Sequence, residues 1–226
     1  MQIAVDGPAG SGKSSVSKRI AERHSLLYLD TGAMYRAAAW LKLDRHLSFE
    51  DLLETLNKTE FSFSENGSVL KLRYNMNEKY SEDVTENIRT PEVTALVSEV
   101  AANGKIRDIL TKTQQNIALY ADVIMDGRDI GTVVLPRADL KFFLTASQEK
   151  RAERRANEWI NKGKTADYNK VLNDIKERDN KDTMREAAPL KKPDDAVEID
   201  TTGLTIDEVT AIIEEAIDKF RNRADG

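Results

Sequence analysis

GPAGSGKSS, residues 7–15, decides how this chain is read. The run before it, QIAVD, is short, apolar and ends on a carboxylate; the residues after it place Val16, Ile20 and Ala21 at helical spacing. A glycine-rich turn between a buried strand and a helix lets successive main-chain N–H groups point inward at an anion, with the positive end of the helix dipole behind them. Gly7, Gly12, Lys13 and Ser14 satisfy G-x-x-x-x-G-K-[ST]. In that pattern the lysine reaches the β- and γ-phosphates of a nucleoside triphosphate and the serine hydroxyl ligates Mg²⁺. A chance match in a chain of 226 residues has odds on the order of one in a hundred. The residues expected to hold the triphosphate are Gly7, Pro8, Ala9, Gly10, Ser11, Gly12, Lys13, Ser14 and Ser15.

Working outward, the segments Leu26 to Asp30, Val123 to Asp126, Leu140 to Thr145 and Val197 to Asp200 resemble Ile3 to Asp6: short, rich in β-formers and closed by small or acidic residues. They predict strands buried on both faces of a parallel sheet. Helical segments lie between them. Ser48 with Asp51 opens DLLETLNK, and Thr90-Pro91-Glu92 starts a helix with its proline in the first turn. Thr205 with Glu208 makes a capping box before a last helix whose apolar positions are Val209, Ile212, Ile213, Ala216 and Ile217. Strands alternating with helices imply right-handed crossovers and an α/β fold, a doubly wound five-stranded parallel sheet with helices on both faces. Ligands of such sheets sit at the carboxyl ends of the strands.

Two stretches interrupt the alternation. EFSFSENGSVLKLRY, 60–74, alternates in two runs around Glu65-Asn66-Gly67, a hairpin signal, so about 60–90 is expected to form a small antiparallel lobe inserted in the core. Ser147 to Lys164 is polar and arginine-rich and breaks near Gly163, which marks about 147–165 as a candidate mobile lid. The remaining segments, about 1–59, 91–146 and 166–226, make up the core of a single domain.

Composition narrows the function. With 40% hydrophobic and 32% charged residues the chain reads as an ordinary folded domain, and a net charge of −5 argues against a general nucleic-acid binder. It has no cysteine, which excludes disulfides, thiolate metal sites and a cysteine nucleophile. No apolar run reaches the roughly 18 residues of a membrane span. The expected protein is a cytoplasmic monomer with no membrane or nucleic-acid partner.

The phosphate loop does not name the reaction, because switch GTPases, ATPases and small-molecule kinases share it. A guanine-reading N-K-x-D is absent, which weakens the switch reading. DTGAMYR, 30–36, follows the second strand and offers Thr31, Tyr35 and Arg36 on the first turns of a helix; a planar guanidinium suits a second phosphate. Taken alone, Arg36 is equally a solvated helix residue and Tyr35 core packing. DGRDIGT, 126–132, begins at another strand end, where Asp126 has the position of a Walker-B carboxylate that holds Mg²⁺ through water, and Arg128 and Asp129 leave the same loop.

The set GPAGSGKSS, DTGAMYR, NIRTPEV, SEVAANGKIR, DGRDIGTVVLP and KERDNKDTMREAAPL resembles the bacterial cytidylate kinases, in order, from residue 2 to about 200. The resemblance implies a P-loop nucleoside monophosphate kinase whose inserted lobe binds the monophosphate. It implies that Tyr35, Arg36 and Arg128 hold the acceptor phosphate, that Thr31, Arg107, Asp129 and Arg185 surround the cytosine, and that Ser98, Arg178 and Asp182 reach the sugar. A carboxylate with arginines complements cytosine, whose exocyclic amine sits beside acceptors at N3 and O2; uracil would set a carbonyl against Asp129. Spacing alone favours a plainer role for Arg178, Asp182 and Arg185, as charges pairing on a wet helix face. In the lid, Arg151, Arg154 and Arg155 are candidates for neutralising the transferring phosphoryl group.

The expected activity is in-line transfer of the γ-phosphoryl group of ATP, with Mg²⁺, to CMP or dCMP, with Lys13, Arg128 and the lid arginines as catalytic residues. Two rivals stand beside it: a kinase for another small acceptor such as UMP or a coenzyme precursor, and a nucleotide-dependent switch.

Overall fold

The computed structural model describes residues 1–64, 67, 69–74, 81–161, 163 and 165–224. In chain order the elements are β1 (Gln2–Asp6), α1 (Lys13–His24), β2 (Leu27–Asp30), α2 (Thr31–Asp44), α3 (Phe49–Asn57), β3 (Glu60–Phe63), β4 (Leu70–Arg73) and β5 (Glu82–Asp83). A 3-10 turn at Asn87–Arg89 then leads into α4 (Pro91–Ala102), α5 (Gly104–Tyr120) and β6 (Val123–Gly127). After a π-helical turn at Ile130–Val134 come β7 (Leu140–Thr145), α6 (Gln148–Asn161), α7 (Tyr168–Met184), β8 (Val197–Asp200) and α8 (Ile206–Ala224). No helix among the described residues is long and apolar enough to cross a membrane.

Five strands form one sheet in the order β2-β6-β1-β7-β8, and every pairing is parallel. Because side chains alternate across a strand, each strand feeds two layers. Ala4, Leu29, Val123 and Met125 pack under α2, α3, α4 and α5, whereas Ile3, Val5, Tyr28, Ile124, Phe142 and Leu144 pack under α1 and α8. This two-sided burial is why β1, β2 and β6 read as nearly unbroken apolar runs, whereas the edge strand β8 buries only Ile199. Register aligns the functional ends. Asp6 lies opposite Gly127, and Asp30 opposite Asp126, so the loops after β1, β2 and β6 leave the sheet side by side.

The capping signals act as written. Ser48 accepts from the Asp51 N–H at 3.1 Å, Thr90 from Val93 at 3.3 Å, and the Thr205 and Glu208 side chains reciprocate at 3.2 and 2.8 Å. One stripe is narrower than expected. On α8, Val209, Ile213 and Ile217 are buried, but Ile212 is 39% exposed, because the helix meets the core along a single i, i+4 ridge. The inserted lobe is an antiparallel sheet, β3-β4-β5, with Phe63 opposite Leu70. Glu65 and Asn66 of the expected hairpin turn, and Lys164 at the end of the expected lid, lie outside the described residues. Strand β5 is two acidic residues long and carries no pattern by which it could be read.

Gly7 shows how tightly the loop after β1 is built. Its φ is 145°, and a Cβ placed there would lie 2.1 Å from the Leu144 carbonyl oxygen. Gly7→Ala is expected to lower the unfolding free energy in urea by at least about 2 kcal/mol. At Gly104 a Cβ meets nothing within 4 Å. Gly104→Ala at the start of α5 is expected to be neutral or slightly stabilising, so equal losses at the two positions would contradict the assigned loop geometry.

Candidate active site

The loop after β1 turns on three left-handed glycines, Gly7, Gly10 and Gly12, with φ of 145°, 78° and 94°. Gly12 leads directly into α1, so the positive end of that helix faces the loop. Lys13 is buried, and its ammonium donates to the Pro8 carbonyl at 2.7 Å and to Ser11 Oγ at 3.4 Å. Burial first, then the Arg128 guanidinium, pushes its pKa down to about 7. An ammonium so weakly held in its charged form is one that an arriving phosphate would stabilise.

Beside it, Ser14 Oγ donates to Asp126 Oδ2 at 2.7 Å and the Tyr28 hydroxyl donates to Asp126 Oδ1 at 2.8 Å. Burial and the neighbouring Asp30 carboxylate push the pKa of Asp126 up to about 6. An exposed serine hydroxyl bound to a buried carboxylate that lacks full charge compensation is a hard-oxygen pair, and it fits Mg²⁺. Asp30 also caps α2, accepting from the Ala33 N–H at 3.0 Å. Thr31, expected near the base, is buried and donates to the Asp126 carbonyl at 2.8 Å.

A group of guanidinium side chains faces these two features. Arg36, on α2, is half-buried and makes no hydrogen bond to any described residue. Its pKa is lowered by burial, while Asp30 opposes the shift and the nearby Arg89, Arg155 and Arg128 add to it. Arg178, on α7, likewise has no hydrogen-bond partner among the described residues; burial first, then Arg128, lowers its pKa to about 10. Arg128 donates through Nε to Asp182 Oδ2 at 2.7 Å and through a terminal nitrogen to the Gly127 carbonyl at 3.2 Å, which fixes its plane. Against the opposing effect of burial, Arg128 holds the Asp182 carboxyl below its ordinary pKa. Arg128 and Arg178 both lie within electrostatic reach of Lys13. Like charges are thus gathered in a partly desolvated crevice with too few carboxylates to match them, an arrangement that a polyanion stabilises.

A second group surrounds Asp129, which is buried between the Arg107 guanidinium and Arg185, the latter at 3.5 Å. Arg107 also donates to the Ala101 carbonyl at 3.1 Å, and Arg185 to Ala188 at 2.6 Å. Tyr35, which the resemblance grouped with the phosphate-holding arginines, has its ring 5.3 Å from the Arg107 guanidinium carbon. Burial pushes its hydroxyl up to about 12, so it stays protonated and available to donate. A cavity of about 400 Å³ opens beside Arg107, bordered by Thr111, Val133 and Ala188. Ser98 is exposed on α4 and has no hydrogen bond to Arg178 or Asp182.

The three arginines of α6 separate cleanly. Arg151 is buried, donating to Asp179 at 2.9 and 2.5 Å and to the Ala9 and Ala146 carbonyls at 3.1 and 3.0 Å. Arg154 donates to the Thr201 carbonyl at 2.6 Å and to its hydroxyl oxygen at 3.0 Å. Arg155 pairs with Glu158 at 2.9 Å, leans 5.6 Å from the Trp159 ring, and is the one whose charge reaches Arg36 and Arg178. Sequence reasoning missed Arg89, although it stands in the quoted NIRTPEV; a lone arginine in a 3-10 turn carries no local sign of what it faces. It also missed Asp30 and Asp179, whose roles depend on partners distant in sequence.

The sequence model of the cytidylate kinase family matches residues 3–220. The chain is 50% identical over 225 residues to the cytidylate kinase of Streptococcus sanguinis, covering 97% of each protein. It is 47% identical over 220 residues to that of Carboxydothermus hydrogenoformans, covering 96% of this chain and 97% of the relative. Among solved structures, an uncharacterized protein from Eubacterium ventriosum superposes with a TM-score of 0.54 at 16% identity, over 96% of this chain and 98% of that one, a likeness of fold alone.

Proposed function

The chain belongs to the cytidylate kinase family and is an ATP-dependent nucleoside monophosphate kinase; we propose that it passes the γ-phosphoryl group of ATP to CMP or dCMP in one in-line step, giving CDP or dCDP and ADP. An oxygen of the acceptor phosphate forms the new bond to the γ-phosphorus as the bond to the bridging oxygen breaks, and the electron pair stays on ADP. The attacking oxygen is already anionic, so no general base is required. Catalysis reduces to alignment and charge neutralisation.

The observation that carries this reading is the set of guanidinium groups beside the phosphate loop: Arg128 and Arg178 within electrostatic reach of Lys13 and Arg36 within reach of Arg128, with Arg128 paired to Asp182 and Arg36 and Arg178 bonded to no described residue. In the proposal the main-chain N–H groups of residues 7–15 and Lys13 hold the ATP phosphates, and Arg36, Arg128 and Arg89 hold the acceptor phosphate. Ser14 directly and Asp126 through water would hold Mg²⁺, which would supply neutralisation of the phosphate charge during transfer. Asp129, oriented by Arg107 and Arg185, accepts from the cytosine amine through its remaining lone pairs. Thr31 and Tyr35 border the base, and Ser98, Arg178 and Asp182 are assigned to the sugar side. The lobe of about 60–90 and the lid of about 147–165 close over the pair of nucleotides and exclude water. The net charge of −5 offers no field for a nucleic-acid backbone, and a cytoplasmic monomer acting on free nucleotides is the proposed state.

The test is a panel of acceptors with ATP and Mg²⁺, in which CMP and dCMP should be turned over far faster than UMP or AMP. Preference for UMP would overturn the role of Asp129, and slow ATP hydrolysis that no monophosphate accelerates would overturn the kinase assignment.

The lid arginines give a graded prediction. Arg155→Ala should lower kcat about a hundredfold with little change in melting temperature, since its charge is the one directed at the crevice. Arg151→Ala should chiefly destabilise, because it removes a buried guanidinium that bonds the half-buried Asp179 carboxylate and two main-chain carbonyls. A reversed pattern, with kcat lost at Arg151 in a fully stable protein and untouched at Arg155, would contradict the assignment.

A further inference from the structure

The Asp6 carboxylate plays no part in the chemistry above, yet it is 1% exposed and sits where the donor loop meets the acceptor loop. Its Oδ1 accepts the Ile130 N–H at 2.8 Å and its Oδ2 the Gly131 N–H at 2.7 Å. These two groups open the π-helical turn that immediately follows Arg128 and Asp129. On its other side Asp6 adjoins Gly7, the first glycine of the phosphate loop, and Lys13 lies within electrostatic reach of it. The turn has little freedom to move without the carboxylate. A Cβ at Gly131 would come within 2.8 Å of Pro193 Cγ, 3.1 Å of Lys141 Cδ and 3.3 Å of Asp6 Oδ2.

We propose that Asp6 is a positioning residue for base and phosphate recognition, which ties the start of the phosphate loop to the turn that aims Arg128 and Asp129 at the acceptor nucleotide. A carboxylate gripping two successive main-chain N–H groups sets the direction of the peptide planes just before them in space, and with it the line along which the two side chains leave the loop. The shared anchor also fixes the distance between the two nucleotide sites, since one residue belongs to both. The inference rests on the reading that Arg128 and Asp129 hold CMP.

Asp6→Asn preserves shape but turns an amide N–H toward one of the two donors, so one of the paired bonds is lost. The expected result is a KM for CMP raised about tenfold, with KM for ATP within about twofold and the ratio of kcat/KM for CMP over UMP lowered several-fold. Gly131→Ala leaves the charge of Asp6 in place but crowds its Oδ2 and displaces the same turn against Pro193 and Lys141, and should give the same split; combined with Asp6→Asn it should add little, because both act through one joint. Should Asp6→Asn fail to fold, the split in Gly131→Ala carries the test alone. Equal increases in KM for ATP and CMP, a loss of melting temperature with unchanged kinetics, or additive effects of the two substitutions would each overturn the inference. Asp129→Asn serves as the control. If it leaves CMP kinetics unchanged, the underlying reading of the base site fails; if it alters them while Asp6→Asn and Gly131→Ala do not, only the role of Asp6 fails.

Discussion

Lys13→Met is expected to lower kcat at least about a thousandfold, equivalent to about 4 kcal/mol of lost transition-state stabilisation, while leaving the protein as stable as before or more so. The two halves of this expectation share one cause. Lys13 is held in a fully buried position by carbonyl and hydroxyl oxygens, with burial and two arginines opposing its charge. Bound phosphates reverse that balance, so the same ammonium that burdens the free protein serves the reaction. The sign follows from the lowered pKa. Above the ordinary lysine range neither state carries the charge and there is no penalty; as pH falls toward about 7 the unfolded chain binds the proton that the folded one refuses, and the penalty grows to its full size. The gain in melting temperature of Lys13→Met over the parent should therefore be larger at pH 6 than at pH 10, in the absence of nucleotide. Turnover within tenfold of the parent would remove the phosphate loop from the mechanism. A gain that grew with rising pH would contradict the electrostatic account of Lys13.

Asp129→Asn should lower the ratio of kcat/KM for CMP over UMP about a hundredfold. In the proposed pose the carboxylate faces the amine of cytosine; an asparagine amide in its place can present N–H to the carbonyl of uracil instead. The discrimination is large because Asp129 is buried, and an unmatched polar group there has no water to turn to. The substitution also removes the counter-charge of Arg107 and Arg185, both of which point at this carboxylate, so urea unfolding should report a loss of about 3 kcal/mol. Unchanged base preference in a destabilised protein would mean that Asp129 only holds its two arginines together. Restoration of neither preference nor stability by Asp129→Glu is expected, since the longer side chain carries the carboxylate out of line with Arg107 and Arg185.

Local features of the fold were legible because local physics produces them. The five core strands were read within about one residue of their ends; β1, β2 and β6 stand out because burial on both faces demands apolar runs, but edge strand β8 buries only Ile199, so the expected two-sided burial of Val197 to Asp200 is not met. Helix starts at Ser48, Thr90 and Thr205 were visible as side chains that satisfy N–H groups three residues ahead. Strand β5 was not, because two exposed acidic residues pair with β4 only when the lobe is already formed. The π-helical turn at Ile130–Val134 was equally silent, since its anchor is Asp6, more than a hundred residues earlier in the chain.

The contrast is sharpest between the phosphate loop and α6. Nine contiguous residues suffice to state that a phosphate is held and by which lysine, because the cradle is made of main-chain N–H groups and left-handed glycines within one turn. Three arginines within five residues of α6 carry no such instruction. A helix rotates each successive side chain by about 100°, so neighbours in sequence face different surroundings. Only the packed structure pairs Arg151 with Asp179 and Arg154 with Thr201, partners from elsewhere in the chain, and leaves Arg155 on its local partners Glu158 and Trp159 within electrostatic reach of Arg36 and Arg178.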